Sequence, residues 1–279
     1  MKLIADSGST KTEWCMMHEN GTCDRSITSG INPFYQTTDD IINSLQIEFQ
    51  LEKVAIQEIF FYGAGCANAA KNKIVADALM HYFGCQQVTI ESDLMGAAHA
   101  LCQSEAGIAC ILGTGSNSCH YDGTTIVKNV SPLGFILGDE GSGAVMGKRL
   151  VADVLKNQLS ATTIELFFNT FKITPAEILD RVYKQPFPNR YLAQFTKFLS
   201  QNIQVKELEN LVTDCLNEFV IRNLLQYPNT DLKVFFTGSI AYYFREQLEK
   251  VMEKKGLKIG VINQAPMEGL IEYHNKPRQ

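Results

Sequence analysis

The segment Asp6-Ser7-Gly8-Ser9-Thr10-Lys11-Thr12 gathers a carboxylate, a glycine, several hydroxyls and an ammonium within one short turn. Glycine lets backbone N–H groups approach phosphate oxygens, and the hydroxyls of Ser9, Thr10 and Thr12 can donate further hydrogen bonds. Asp6 closes an apolar strand pattern and could hold Mg²⁺ through the ion's waters, because magnesium dehydrates reluctantly. The competing reading is a polar hairpin turn in which Asp6 bonds its own backbone. A second turn, Gly113-Thr114-Gly115-Ser116-Asn117, has the same character. Two such turns, one in each half of the chain, could clamp the phosphates of one nucleotide.

Moving a phosphoryl group to a hydroxyl requires a carboxylate within reach of that hydroxyl's proton. Asp93 is the candidate. It follows the strand pattern Val88–Glu91 and precedes the helical pattern Leu94–Leu101, and ligands collect at the carboxyl ends of strands in such sheets. Asp is equally a preferred helix N-cap, and the two roles can coexist. Asn32 stands before Pro33, an ordinary loop signal, and its amide can both donate and accept. Gly134-Phe135-Ile136-Leu137-Gly138-Asp139-Glu140 could line a pocket, or Asp139 or Glu140 could cap a helix starting near Ser142. Gly143–Arg149 is one residue short of a P-loop, ends in Arg and does not follow a strand. Gly63-Ala64-Gly65 lacks the third glycine of a dinucleotide fingerprint. His99 and His120 read as structural, and nothing has the spacing of a zinc site.

An internal duplication supplies the elements that must hold these residues. Leu3–Thr10 and Cys110–Asn117 are each a short apolar run ending in a turn with Gly-Ser, and each is followed by a second strand. Ile59-Phe60-Phe61-Tyr62-Gly63 and Val234-Phe235-Phe236-Thr237-Gly238 are apolar runs ending in glycine. Helical patterns follow them at Ala69–Phe83 and Ile240–Lys255, as expected of buried parallel strands. The sequence therefore predicts a duplicated α/β fold, with domains at 1–105 and 106–265. A helical insertion at about 144–228 is divided by Pro175, Pro186 and Pro188. A last helix at 266–279 is expected to rejoin the first domain.

Composition narrows the partners. A formal charge of −5 with no basic run argues against a nucleic-acid partner. The eight cysteines form no C-x-x-C pair and sit in apolar segments, which reads as buried thiols. The chain opens directly on a strand pattern with no leader, and no apolar run reaches the roughly 18 residues of a membrane span. No membrane partner and a cytoplasmic location are the expectation.

The set Asp6-x-Gly8-x-Thr10-x-Thr12, Gly113–Asn117 and Phe236-Thr237-Gly238-Ser239 resembles the phosphate and adenosine motifs of the superfamily of actin, the 70-kDa heat-shock proteins and sugar kinases. Leu112–Asn117 together with Gly134–Ser142 is similar to the N-acetylglucosamine kinase branch of the BadF/BadG/BcrA/BcrD ATPase family. The resemblance runs through most of the chain and is weakest over the helical insertion. It implies duplicated actin-like (ribonuclease H-like) ATPase domains, with ATP and Mg²⁺ as cofactors. Asp6, Gly8, Ser9, Thr10, Lys11, Thr114, Gly238 and Ser239 would bind the nucleotide, with Asp6 on the metal through water. Asn32, Asp93, Gly115, Ser116, Gly134, Phe135 and Asp139 would bind an amino sugar, and Asp93 would be the base. The implied reaction is ATP-dependent conversion of N-acetylglucosamine to its 6-phosphate, and a homodimer is suggested. Two alternatives within reach are an iron–sulfur ATPase that activates a dehydratase and a non-catalytic sugar-responsive regulator. Phe135 stands where the motif carries Trp; it keeps a stacking face and lacks the indole N–H.

Overall fold

The computed structural model describes residues 1–8, 10–18, 21–52, 55–227 and 231–276. Ser9, residue 228 at the expected end of the insertion, and residues 277–279 of the expected last helix lie outside the described residues. In chain order the strands are β1 (Lys2–Ser7), β2 (Lys11–Met17), β3 (Cys23–Ser29), β4 (Glu58–Gly63), β5 (Val88–Ser92), β6 (Gly107–Leu112), β7 (Ser116–Tyr121), β8 (Ile126–Val130), β9 (Val234–Thr237) and β10 (Ile259–Asn263). The first helices are α1 (Thr38–Glu48), α2 (Ala69–Phe83), α3 (Asp93–Cys102), α4 (Gly134–Leu137), α5 (Gly143–Leu155) and α6 (Ala161–Phe171). They are followed by α7 (Pro175–Tyr183), α8 (Pro188–Ala193), α9 (Thr196–Gln201), α10 (Lys206–Arg222), α11 (Ser239–Tyr243), α12 (Arg245–Lys254) and α13 (Met267–Asn275). The chain divides into two compact units: Met1–Ala106 with Tyr121–Ile126 and the segment from Ala265 onward, and Gly107–His120 with Val127–Gln264.

The first unit holds a sheet in the order β3-β2-β1-β4-β5. β1, β2 and β3 form an antiparallel meander, whereas β4 joins β1 and β5 joins β4 in parallel. Side chains alternate across a strand, so each face collects its own core. Leu3, Ala5, Ile59 and Phe61 pack with Trp14 and with Ile41, Leu45, Val75 and Leu79 of α1 and α2. Ile4, Phe60 and Tyr62 pack on the opposite face with Ala100, Met267 and Leu270 of α3 and α13. Burial on both faces is why β4 reads as an unbroken apolar run. Trp14 is fully buried, and its indole N–H donates to Thr28 Oγ1 at 2.9 Å, which removes the cost of an unpaired donor.

The second unit holds a sheet in the order β10-β9-β6-β7-β8, with β9 parallel to both β6 and β10. The short link from β6 to β7 cannot carry a parallel crossover, so these neighbours form an antiparallel hairpin like β1–β2. Helices α5 to α10 fill the stretch between β8 and β9. Two of the prolines begin helices there, Pro175 at the start of α7 and Pro188 at the start of α8, where a missing N–H costs nothing. Leu208, Leu211, Val212, Cys215, Leu216, Phe219 and Val220 line one buried stripe of α10, which packs against α12 and α5. The helical pattern at 240–255 is two helices, broken at Phe244. Seven cysteines are buried and Cys23 is partly so.

Gly147 lets α5 lie against α8: a Cβ there would fall 1.9 Å from Leu192 O, a backbone atom that has no rotamer to yield. Gly147→Ala is expected to lower stability by about 1–3 kcal/mol, read as a lower denaturation midpoint at unchanged m-value.

Candidate functional site

In the first unit the β1–β2 turn brings Asp6, Gly8, Thr10 and Lys11 to the carboxyl end of β1. Its hydroxyls divide by face. Thr12 is fully buried; its Oγ1 donates to Ser29 O at 3.1 Å and lies 2.7 Å from Ser7 Oγ. Ser7 Oγ in turn bonds Ile31 through both its N–H and its C=O. The expectation that Thr12 could serve phosphate is therefore corrected: Thr12 and Ser7 tie the turn to the loop carrying Asn32. Thr10 is exposed, and the Gly8 amide closes the turn on Lys11 O at 3.0 Å.

Asp93 is the first residue of α3, and it does not cap the helix. That role belongs to Ser92, whose Oγ accepts from Met95 N at 3.1 Å. Asp93 Oδ1 accepts from the adjacent Leu94 N, at 2.9 Å. Burial raises its pKa, partly offset by the backbone amides of Leu94 and of Asp93 itself. Asp6 stands close enough to feel it. Burial first, then repulsion from Asp93 and Glu13, push Asp6 up to about 7, with Lys11 pulling the other way. One carboxylate, with waters and phosphate oxygens completing the shell, is how proteins usually hold Mg²⁺. Among the described residues no cluster of three or more His, Cys, Asp or Glu forms an all-protein metal cage, and Asp6 offers a single carboxylate at the turn.

Asn32 Oδ1 accepts from Phe34 N at 3.0 Å, an Asx turn that satisfies the oxygen and aims the amide. Gly65, at φ +84°, lets the loop after β4 reach this side chain; a Cβ would fall 2.4 Å from Asn32 Oδ1.

In the second unit the turn 113–115 is built by backbone. Gly113 N donates to Gly115 O at 2.9 Å. The first amides of α5, Gly143 and Ala144, donate to the carbonyls of Gly113 and Thr114 at 2.8 and 3.0 Å. Asp139 sits at φ 55° and accepts from Ser116 N at 3.3 Å, with Gly115 beside its carboxylate. Burial pushes it up to about 6, against the Ser116 amide; Glu140 adds to the rise and Lys148 opposes it. The cap of α5 is Ser142, so Asp139 is not spent there. Glu140 is engaged structurally, pairing with Arg222 at 2.9 Å and accepting from Asn223 at 3.3 Å. Phe135 is partly buried against the core, its carbonyl held by Lys148, while Gly134 lies exposed at φ +75°.

Gly238 follows β9 at φ +117°, and a Cβ would fall 2.2 Å from Leu112 O. Only glycine fits both the conformation and the space. Beside it the Thr237 hydroxyl is buried without a partner, an orphan at the carboxyl end of a parallel strand. Ser239 and Ile240 line a cavity of about 420 Å³ with Thr196, Lys197, Gln201 and Tyr243. The sequence reading missed the parts played by Ser92 and Gly65. A Ser directly before Asp at a helix start was the one local signal for the first of them.

Two five-stranded sheets of this order, each opening on a hairpin with a glycine–hydroxyl turn, define an actin-like ATPase architecture. Residues 5–271 match the model of the BadF/BadG/BcrA/BcrD ATPase family, and the chain belongs to that family. ATP use follows from that membership. Among solved structures, a candidate N-acetylglucosamine kinase from Porphyromonas gingivalis is 46% identical, with 98% of each chain covered and a TM-score of 0.95. A candidate N-acetylglucosamine kinase from Chromobacterium violaceum is 15% identical over 98% of each chain, with a TM-score of 0.74. MreB 5 of Spiroplasma citri, bound to AMPPNP, shares the fold at 10% identity and a TM-score of 0.58, over 98% of this chain and 94% of that one. No curated protein matches the chain. Among the described residues no helix is long and apolar enough to cross a membrane.

The raised Asp6 pKa has a thermodynamic sign. Between its ordinary value of 3.8 and about 7 the folded chain keeps a proton that the unfolded chain has released, so stability falls as pH rises through that window. In metal-free protein, Asp6→Asn is expected to melt above wild type at pH 8 and level with it near pH 4. Equal displacement at both pH values would show that Asp6 does not titrate in this way.

Proposed function

We propose that this chain is a kinase that transfers the γ-phosphoryl group of ATP to a hydroxyl of an amino sugar, with N-acetylglucosamine giving its 6-phosphate. The observation that carries the reading is the state of Asp93. It is a half-buried carboxylate whose pKa is raised by loss of solvent, relieved of capping by Ser92 and set beside Asp6. A general base works best with its pKa drawn toward the working pH, and burial moves Asp93 in that direction. The relative from P. gingivalis, described as a candidate N-acetylglucosamine kinase, supports the choice of acceptor.

In this reading Asp93 accepts the proton of the attacking hydroxyl. Asp6 would hold Mg²⁺ through water, and the ion would supply charge neutralisation at the phosphates. Gly8, Ser9, Thr10, Lys11 and Thr114 receive phosphate oxygens, and Gly238 and Ser239 receive the nucleoside, for which the adjacent cavity has room. The amide of Asn32 holds one sugar hydroxyl. Gly115, Ser116, Gly134 and Asp139 complete the polar contacts, and Phe135 offers its ring face to the sugar. Domains at 1–105 and 106–265, with the last helix returning to the first, are the corresponding functional division. We further propose a homodimer in the cytoplasm, acting on a small-molecule sugar without nucleic-acid or membrane partners.

The decisive assay offers purified protein Mg-ATP with N-acetylglucosamine, N-acetylmuramic acid, glucosamine and glucose in turn. Turnover of an amino sugar is expected, and inertness toward all four overturns the reading. Asp93→Asn is expected to lower kcat by about 10²–10⁴-fold while nucleotide affinity is retained. Loss of nucleotide binding would instead show that Asp93 belongs to the ATP site.

A further inference from the structure

The strand register places Tyr62 of β4 between Asp6 of β1 and Glu91 of β5. In-register neighbours in a parallel sheet point to the same face, here the face covered by α3 and α13. Tyr62 is buried, and its ring lies under α3 at Gly96, where a Cβ would fall 2.9 Å from Tyr62 Cβ. Its hydroxyl is 2.9 Å from His99 Nδ1 on α3 and 2.9 Å from His274 Nε2 on α13. A phenol has one proton, so it donates to one ring and accepts an N–H from the other, which makes the three groups a directional chain.

Each imidazole is fixed in turn. His99 stacks on Tyr273 at 4.0 Å and 11°, and His274 stacks on Phe60 at 4.0 Å and 25°. Burial holds His99 down to about 4, so it is neutral at ordinary pH. The two helices meet backbone to backbone, since a Cβ on Gly269 would fall 2.2 Å from Ala100 O. Gln103 Nε2 bridges them by donating to the carbonyls of Ala100 and Gly269 at 3.1 and 3.0 Å.

Asp93 heads α3, and a helix moves as a rigid rod. Whatever fixes α3 against the strand next to Asp6 therefore fixes the Asp93 carboxylate relative to that of Asp6. We propose that Tyr62, held by His99 and His274, is a positioning residue that sets the separation of the Asp6 and Asp93 carboxylates. The last helix of the chain is thereby part of the phosphoryl-transfer machinery. This rests on the reading of Asp93 as the base.

The test measures kcat and KM with Mg-ATP and N-acetylglucosamine, per folded molecule, for Tyr62→Phe, His274→Leu, the double variant and His274→Gln. Small misplacements of catalytic groups cost up to about 100-fold, so Tyr62→Phe and His274→Leu are each expected to lose about tenfold or more in kcat. KM for ATP should hold. The double variant should be no worse than the poorer single one, because all three act through one chain. His274→Gln keeps a donor and an acceptor and should recover most of the rate. Wild-type kcat in both single variants, losses that multiply in the double, or losses that vanish after correction for folded fraction would overturn the inference. His274→Leu alone decides it if Tyr62→Phe does not fold. Wild-type protein that phosphorylates no sugar overturns the functional reading and this inference with it. Wild-type turnover with undiminished variants overturns this inference alone.

Discussion

Parallel pairing in strict register is the constraint on which the first unit depends. β1, β4 and β5 run side by side with Asp6 opposite Tyr62 and Tyr62 opposite Glu91, so one row across the sheet carries two carboxylates separated by a phenol. A slip of one residue would turn Asp6 into the apolar layer beneath α1 and α2 and bring Ala5 or Ser7 to the other face. The two-sided core forbids that slip, because Ile4 and Phe60 are committed to one face and Leu3, Ala5 and Phe61 to the other. Electrostatics then follow from packing. The same packing that specifies the register leaves Asp6 and Asp93 only partly solvated, and so holds both carboxyls above their ordinary range.

The second unit reaches a comparable end with less side-chain chemistry. Its turn is held by carbonyls accepting the first amides of α5, so helix and turn satisfy each other's exposed backbone groups. Gly238 brings the end of β9 against Leu112 more closely than any side chain would allow. Asp139 tethers the start of β7 through the Ser116 amide, which holds the glycine turn from its other side. Backbone atoms dominate these contacts, which makes the geometry tolerant of changes in residue type at most positions and intolerant at the glycines.

Much of the fold was legible because it was written twice. The paired apolar runs with terminal glycines, and the paired Gly-Ser turns, are local patterns that one sequence displays. The positions of Asp6, Asp93 and Asp139 at the ends of elements were legible for the same reason. What was not legible depends on contacts between distant residues. Thr12 looks like its neighbours in the turn, and only the β2–β3 pairing shows that its hydroxyl faces Ser29. Asp93 and Ser92 are both good caps, and the choice turns on which residue begins the helix. Phe135 is partly buried against an apolar core assembled from helices far along the chain, a contact its local sequence does not display. Tyr62 carries no local mark at all, because its partners are 37 and 212 residues away.

The place of α13 has a consequence for how the chain is made. The unit formed by residues 1–106 also contains the segment from Ala265 onward, and Met267, Leu270 and His274 are buried within it. During synthesis the N-terminal strands therefore emerge first, with the face of β1 and β4 that belongs to α13 still uncovered. They stay incomplete until nearly the whole remaining chain has followed. Pairing across so long a separation is slow to close and leaves apolar surface open meanwhile. Of the two units, the one whose synthesis begins first is thus completed only after the other has been made.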